Sequence, residues 1–158
     1  MQTLPVTPLT PNELAAWRGF LRTHAALVRE LDRELELAHG LPLNQYEVLL
    51  MLSNSECGRL RMNDLADSVL LSQSGLTRLV DRLERRGLVA RERCEDDRRG
   101  LHAQITDAGR AKLAEARCTH LAGVRSRFVE RFDEQELGQL ATAWERVSPG
   151  STGSCSNH

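Results

Sequence analysis

Residues 72–101 read SQSGLTRLVDRLERRGLVARERCEDDRRGL. Leu76, Leu79, Val80 and Leu83 fall on one face of a helical period, and Gly87 stops the helix. Two short apolar-patterned strands follow, joined by an acidic and arginine-rich tip. The helix opens on Ser72, Gln73, Ser74, Thr77 and Arg78, which are short or forked hydrogen-bonding side chains. A surface helix serving only a core would favour Glu, Lys and Ala instead. Such a polar head suits the DNA major groove, where Gln meets adenine and Arg meets guanine in bidentate pairs. Ser and Thr can bond bases or phosphates, and Gly75 permits close backbone approach. Arg82, a turn further on, suits a phosphate. Arg85 and Arg86 read as a solvated face, with Asp81 and Arg85 forming an i,i+4 pair.

The strands are expected over 88–93 and 101–105. Val89, Leu101, Ala103 and Ile105 are placed on one side, Arg91 and Arg93 on the other. Asp96, Asp97 and Gly100 supply turn chemistry between them. An arginine at a narrow tip, Arg98 or Arg99, can enter a minor groove whose negative potential attracts it. Asp97 can hold the loop by accepting hydrogen bonds from its backbone or from a guanidinium.

Outward from this stretch the chain reads as helices. Thr10, Pro11 and Glu13 form a helix start with a capping box. Leu14, Trp17, Leu21, His24, Val28, Leu31, Leu35 and Ala38 then recur at steps of three and four until Gly40. A seam of roughly 40 Å, at about 1.5 Å per residue, exceeds what a small core covers and points to pairing with a second subunit. Asn44 and Glu47 repeat the cap pattern before Val48, Leu49, Met51 and Leu52. Leu60 and Arg61 suit a brief strand, and Asn63–Val69 a short helix with Leu65, Ala66 and Val69 inward. Ser72 is the expected cap of the arginine-bearing helix. Thr106 caps a long helix reaching about Arg131, and Asp133 with Glu136 caps another carrying Leu137, Leu140, Ala141 and Trp144. The end of the chain, from Ser148, is Ser- and Gly-rich and reads as a disordered tail. The expected fold is mainly α with a small β-wing, a winged helix-turn-helix flanked by long N- and C-terminal dimerisation helices.

Composition fits that reading without proving it. The 158 residues are 41% hydrophobic and 27% charged, with a net charge of −1. Within 59–99, ten arginines face eight carboxylates, a small local surplus. Almost every cation is arginine, with Lys112 the sole lysine. No apolar run reaches the length of about 18 residues that a membrane span needs, and no secretory signal is visible. A cytoplasmic location is the expectation. The four cysteines, 57, 94, 118 and 155, are widely spaced and contain no C-x-x-C, so neither a zinc ribbon nor a disulfide framework is indicated.

Positions 60–110, LRMNDLADSVLLSQSGLTRLVDRLERRGLVARERCEDDRRGLHAQITDAGR, resemble the MarR (multiple antibiotic resistance regulator) family of winged-helix repressors. The family's D-x-R, apolar strand and L/I-T-x-x-G pattern is matched by Asp97-Arg98-Arg99 and by Ile105-Thr106-Asp107-Ala108-Gly109. The order of helices agrees over about residues 12–147. The resemblance implies a single domain over 1–147, with a winged helix-turn-helix at 41–105 between dimerisation helices at 12–40 and 106–147. It implies a homodimer binding an imperfect palindrome in double-stranded DNA as a local repressor. Ser72 to Arg78 would then read the major groove, Arg99 would enter the minor groove (Arg98 duplicates the charge), and Asp97 would brace the wing.

The resemblance also implies release by a small aromatic acid lodged between the dimer helices and the DNA-binding lobe. Trp17, Arg18, His24 and Tyr46 are the candidates to line that site, although Trp17 and His24 also suit an interface. No cofactor or metal is implied. A peroxide-sensing branch uses a cysteine near the first helix, and this chain has none there. Cys57, Cys94 and Cys118 read as small buried hydrophobes, with Cys94, near Arg91 and Arg93, the best thiol-sensor alternative. An enzyme would need a nucleophile elbow or grouped metal ligands, and neither is visible. A protein-interaction module would show apolar anchors where Ser72–Arg78 stand.

Overall fold

The computed structural model describes residues 7–69, 73–93 and 101–150. Along them run α1 (Pro11–His39), α2 (Leu43–Asn54), a 3-10 turn (Glu56–Gly58), β1 (Arg59–Arg61), α3 (Met62–Ser68), α4 (Gln73–Arg85), β2 (Val89–Arg93), β3 (Leu101–Ile105), α5 (Asp107–Arg127), a second 3-10 turn (Val129–Arg131) and α6 (Glu134–Val147). The strands form one antiparallel sheet in the order β1-β3-β2. The protein is therefore mainly helical with a small sheet, as the sequence reading expects. Residues up to His120 make one compact unit and those from Leu121 another.

The first unit is built around one core. Leu41, Val48, Leu49 and Leu52 of the α2 region, Leu65 of α3, and Leu76, Val80 and Leu83 of α4 are fully buried together with Ala103 of β3 and Ala116 of α5. α1 contributes Leu35 as its one buried residue. Its capping box forms as expected: Thr10 Oγ1 accepts from Glu13 N at 3.3 Å, and Thr10 N donates to Glu13 Oε2 at 2.7 Å. The rest of the α1 seam stands open in this chain, with Trp17 53%, Leu21 45% and Val28 39% exposed.

The junction of β3 and α5 is a knot of local and tertiary bonds. Thr106 Oγ1 accepts from Gly109 N at 3.0 Å, the expected cap, and also donates to Gly87 O at 2.7 Å. Thr106 N donates to Leu88 O at 3.1 Å. A Cβ on Gly109 would overlap the Leu88 carbonyl oxygen and lie 2.8 Å from Ile105 Cγ1. Only glycine lets the first turn of α5 sit this close to the α4–β2 turn. That turn itself needs Gly87, which has φ 71° and closes α4 in the left-handed conformation.

Four local expectations differ in the structure. α2 starts at Leu43, after Pro42, which makes no side-chain cap bond. Asp32 of α1 supplies the acceptor instead, its Oδ1 taking the Leu43 N–H at 2.8 Å, so Asn44 is not the cap. α5 ends at Arg127 rather than near Arg131, and a 3-10 turn follows. The register pairs Val89 with Ile105, Arg91 with Ala103 and Arg93 with Leu101. Arg91 therefore leaves the same face as Val89 and Ala103, contrary to the expectation, because alternate residues of a strand share a face. Leu101 is on that face but lies at the strand's outer end and is 38% exposed. The thiols of Cys57 and Cys118 are exposed, not buried, since Cys57 sits in a tight turn at φ 58° and Cys118 on the outer side of α5.

Candidate functional site

α4 divides cleanly. Leu76, Leu79, Val80 and Leu83 are buried, whereas Ser74, Thr77, Arg78 and Arg82 are exposed on the other side. α3 packs against α4, and α4 against β2, so the polar face is held by a helix on one flank and the wing on the other. Gln73 is the first residue of α4. Ser72, Asp97, Arg98, Arg99 and Cys94 lie outside the described residues.

The wing is fastened to α4 by Arg91. Its Nη2 meets Asp81 Oδ1 at 2.5 Å and donates to Thr77 O at 3.2 Å, while Nη1 donates to Glu84 Oε2 at 3.0 Å. Positions 77, 81 and 84 form one stripe down the flank of the helix. The guanidinium side chain is 19% exposed, which shields these charge-assisted bonds from water. Sequence reading misses this arrangement, although the shared parity of 89 and 91 signals it. The expected Asp81–Arg85 ion pair is accordingly absent among the described contacts: the Asp81 carboxylate turns to Arg91, and Arg85 Nε donates to the Asp81 carbonyl oxygen at 3.2 Å.

Arg86 is also more than a solvated charge. Its Nη1 donates to Gln45 Oε1 at 2.6 Å, and Gln45, on α2, is buried to 5% exposure. The end of α4 is thus tied to α2 by a bond that satisfies a buried amide.

The candidate effector residues fall in two groups. On α1, Trp17, Phe20 and His24 form a ladder of tilted rings, with centroids 6.1 and 6.2 Å apart, and Arg18 stands exposed beside them. On α2, Tyr46 is buried at 2% exposure, and its ring lies 4.6 Å from that of His120 on α5. Burial pushes the Tyr46 phenol up, and the Arg117 guanidinium partly offsets this. Burial pushes the His120 imidazole down, and its Nδ1 has no hydrogen-bond partner among the described residues. Neighbouring Glu47 is also pushed up by burial, against the opposing pull of His24. His120 and Arg117 carry no sequence signal of this role, since only folding brings α5 to α2.

Residues 39–100 match the sequence model of the MarR family. AbsC, a MarR family transcriptional regulator from Streptomyces coelicolor, shares 36% identity over 94% of this chain and all of its own, with a TM-score of 0.86. The chain belongs to the MarR family. Sco3205, a second MarR family regulator from Streptomyces coelicolor, was solved in complex with DNA. It is 33% identical over 92% of this chain and 91% of its own, with a TM-score of 0.87. The transcriptional repressor MprA of Escherichia coli is 32% identical over 104 residues, 66% of this chain and 58% of its own length. The chain spans about three fifths of the length of MprA and of a second curated relative that it matches. In this MarR-family chain, then, α3, α4 and the β2–β3 strands form the helix-turn-helix and sheet of the expected fold. Among the described residues no helix is long and apolar enough to cross a membrane.

Proposed function

We propose that this MarR-family chain is a cytoplasmic regulator of transcription that binds double-stranded DNA as a homodimer and represses a nearby gene. The exposed polar face of α4 carries the reading. Ser74, Thr77, Arg78 and Arg82 stand out from a helix whose opposite face is wholly committed to the core, so their exposure is not a by-product of poor packing. Ser74, Thr77 and Arg78, with Ser72 and Gln73, form the major-groove reader, and Arg82 meets a phosphate. Arg99, or its neighbour Arg98, enters the minor groove, and Asp97 braces that wing. The DNA-bound Sco3205 and the repressor MprA are relatives that favour this reading.

The open α1 seam supports the homodimer. Trp17, Phe20, Leu21 and Val28 are each 39% exposed or more, and a second copy of the seam would cover them, giving a two-fold reader for an imperfect palindrome. A small aromatic acid is the proposed effector, received by Trp17, Arg18, His24 and Tyr46. The exposed ring ladder on α1 offers the aromatic faces such a ligand needs. Selection of bound sequences from a random DNA pool with purified protein tests the proposal. The expected result is one palindromic site with a fixed half-site spacing. A pool that stays random at moderate salt rejects it.

A further inference from the structure

The outer face of the sheet carries a charge pattern that base reading by α4 leaves unused. Arg59 and Arg61 stand two apart on β1, so both side chains leave the same face, roughly 7 Å apart along the strand. Register sets Arg61 opposite His102 and Arg59 opposite Gln104. Leu60, between the arginines, turns the other way and packs on the core. β1 is an edge strand, and both arginines are exposed. A groove of about 430 Å³ opens here, lined by Glu56 and Cys57 of the 3-10 turn, Arg59, Arg61, Asp64 of α3 and His102.

The chemistry of the groove narrows its ligand. No group of three His, Cys, Asp or Glu side chains among the described residues is placed to hold a metal ion. Two guanidinium forks beside an imidazole match a phosphate oxyanion, to which arginine donates in bidentate pairs. The carboxylates of Glu56 and Asp64 formally balance the two guanidinium charges. Such a balance suits a phosphodiester with its single charge better than a polyphosphate. The position agrees: Arg61 is the residue that precedes α3 at its N-cap, and His102 is the second residue of the strand returning from the wing. The first helix of a helix-turn-helix crosses the DNA backbone, so a sugar-phosphate strand running between helix and wing would pass this face.

We propose that Arg59 and Arg61, with His102 beside them, clamp a backbone phosphate between the helix-turn-helix and the wing. The clamp rests on the DNA-binding reading above and extends its footprint to the sheet. Its test uses the selected site and follows affinity against salt for wild type, Arg59→Ala, Arg61→Ala and Arg61→Lys. Each alanine variant is expected to lower the salt slope by about one unit without changing base preference, and Arg61→Lys to restore it. Matching melting curves show that the variants are folded. Inorganic phosphate, titrated in the absence of DNA, is expected not to bind. If wild type binds its site and both alanine variants keep the full slope, the clamp is overturned. Stoichiometric phosphate binding that Arg61→Ala abolishes, with slopes unchanged, assigns the groove to a free phosphate instead and overturns the backbone contact. Wild-type protein that selects no DNA overturns the regulator reading itself.

Discussion

Arg91 on β2 and Asp81 on α4 are joined by an ion pair of 2.5 Å, 19% and 41% exposed on the two sides. With Glu84 and the Thr77 carbonyl it makes the helix and the wing strand one mechanical piece. Whatever orientation the polar face of α4 takes, β2 shares it.

Arg91→Ala is therefore expected to destabilise the fold by about 1.5–3 kcal/mol, the range for bonds to charged groups shielded from water. Arg33→Ala removes an exposed i,i+3 pair with Glu30 and should cost at most about 0.5 kcal/mol. Denaturant melts compare the two. Equal losses would show that the Arg91 cluster is as screened as a surface pair.

Two helical glycines should respond in opposite directions. Gly109→Ala drives a methyl group into the Leu88 carbonyl and is expected to cost about 1–3 kcal/mol. Gly138→Ala, in α6 with nothing within 4 Å of the added carbon, should stabilise by roughly 0.5–1 kcal/mol through a less flexible unfolded chain. Melting temperatures that shift the same way for both would contradict this packing.

Stability should fall in mild acid through His120. Its imidazole is held below the ordinary value of 6.5 by burial against Tyr46, so the unfolded chain binds that proton more readily. Stability then rises with pH across the titration and is lost as pH drops below about 6.5. Glu47, raised by burial, acts in the opposite sense once it ionises above its ordinary 4.5. His120→Phe keeps a ring on Tyr46 and should flatten the acid loss in chemical melts at a series of pH values. An unchanged slope would place the acid sensitivity elsewhere.

Leu21→Glu puts a charge in the middle of the open α1 seam. Leu21 is 45% exposed and outside the buried core, so the fold should survive while the proposed homodimer dissociates. Sedimentation equilibrium reads this directly: a variant that remains dimeric would free the seam from any role in pairing.

Arg78→Ala should relax base preference at one position of the selected site, by about 1–3 kcal/mol. Weakening that is uniform across sequences would mean that Arg78 holds only phosphate.

Much of this protein was readable before folding because the deciding interactions are short in sequence. The capping boxes of Thr10 with Glu13 and Asp133 with Glu136 span three residues each, as does the Thr106–Gly109 cap. The amphipathic split of α4 follows from its helical period, and the family pattern from Ile105 to Gly109 marks the one place where α5 must approach Leu88. The tertiary structure alone decided the ties between elements. Asp32 caps α2 across 11 residues, Arg91 reaches Thr77 across 14, and Arg86 meets Gln45 across 41. A charged side chain looks the same in sequence whether it meets water or a buried acceptor. Which one it meets is set when the chain's hydrophobic core brings distant backbone together, and that is why arginines 86 and 91 changed their meaning on folding while the leucines of α4 kept theirs.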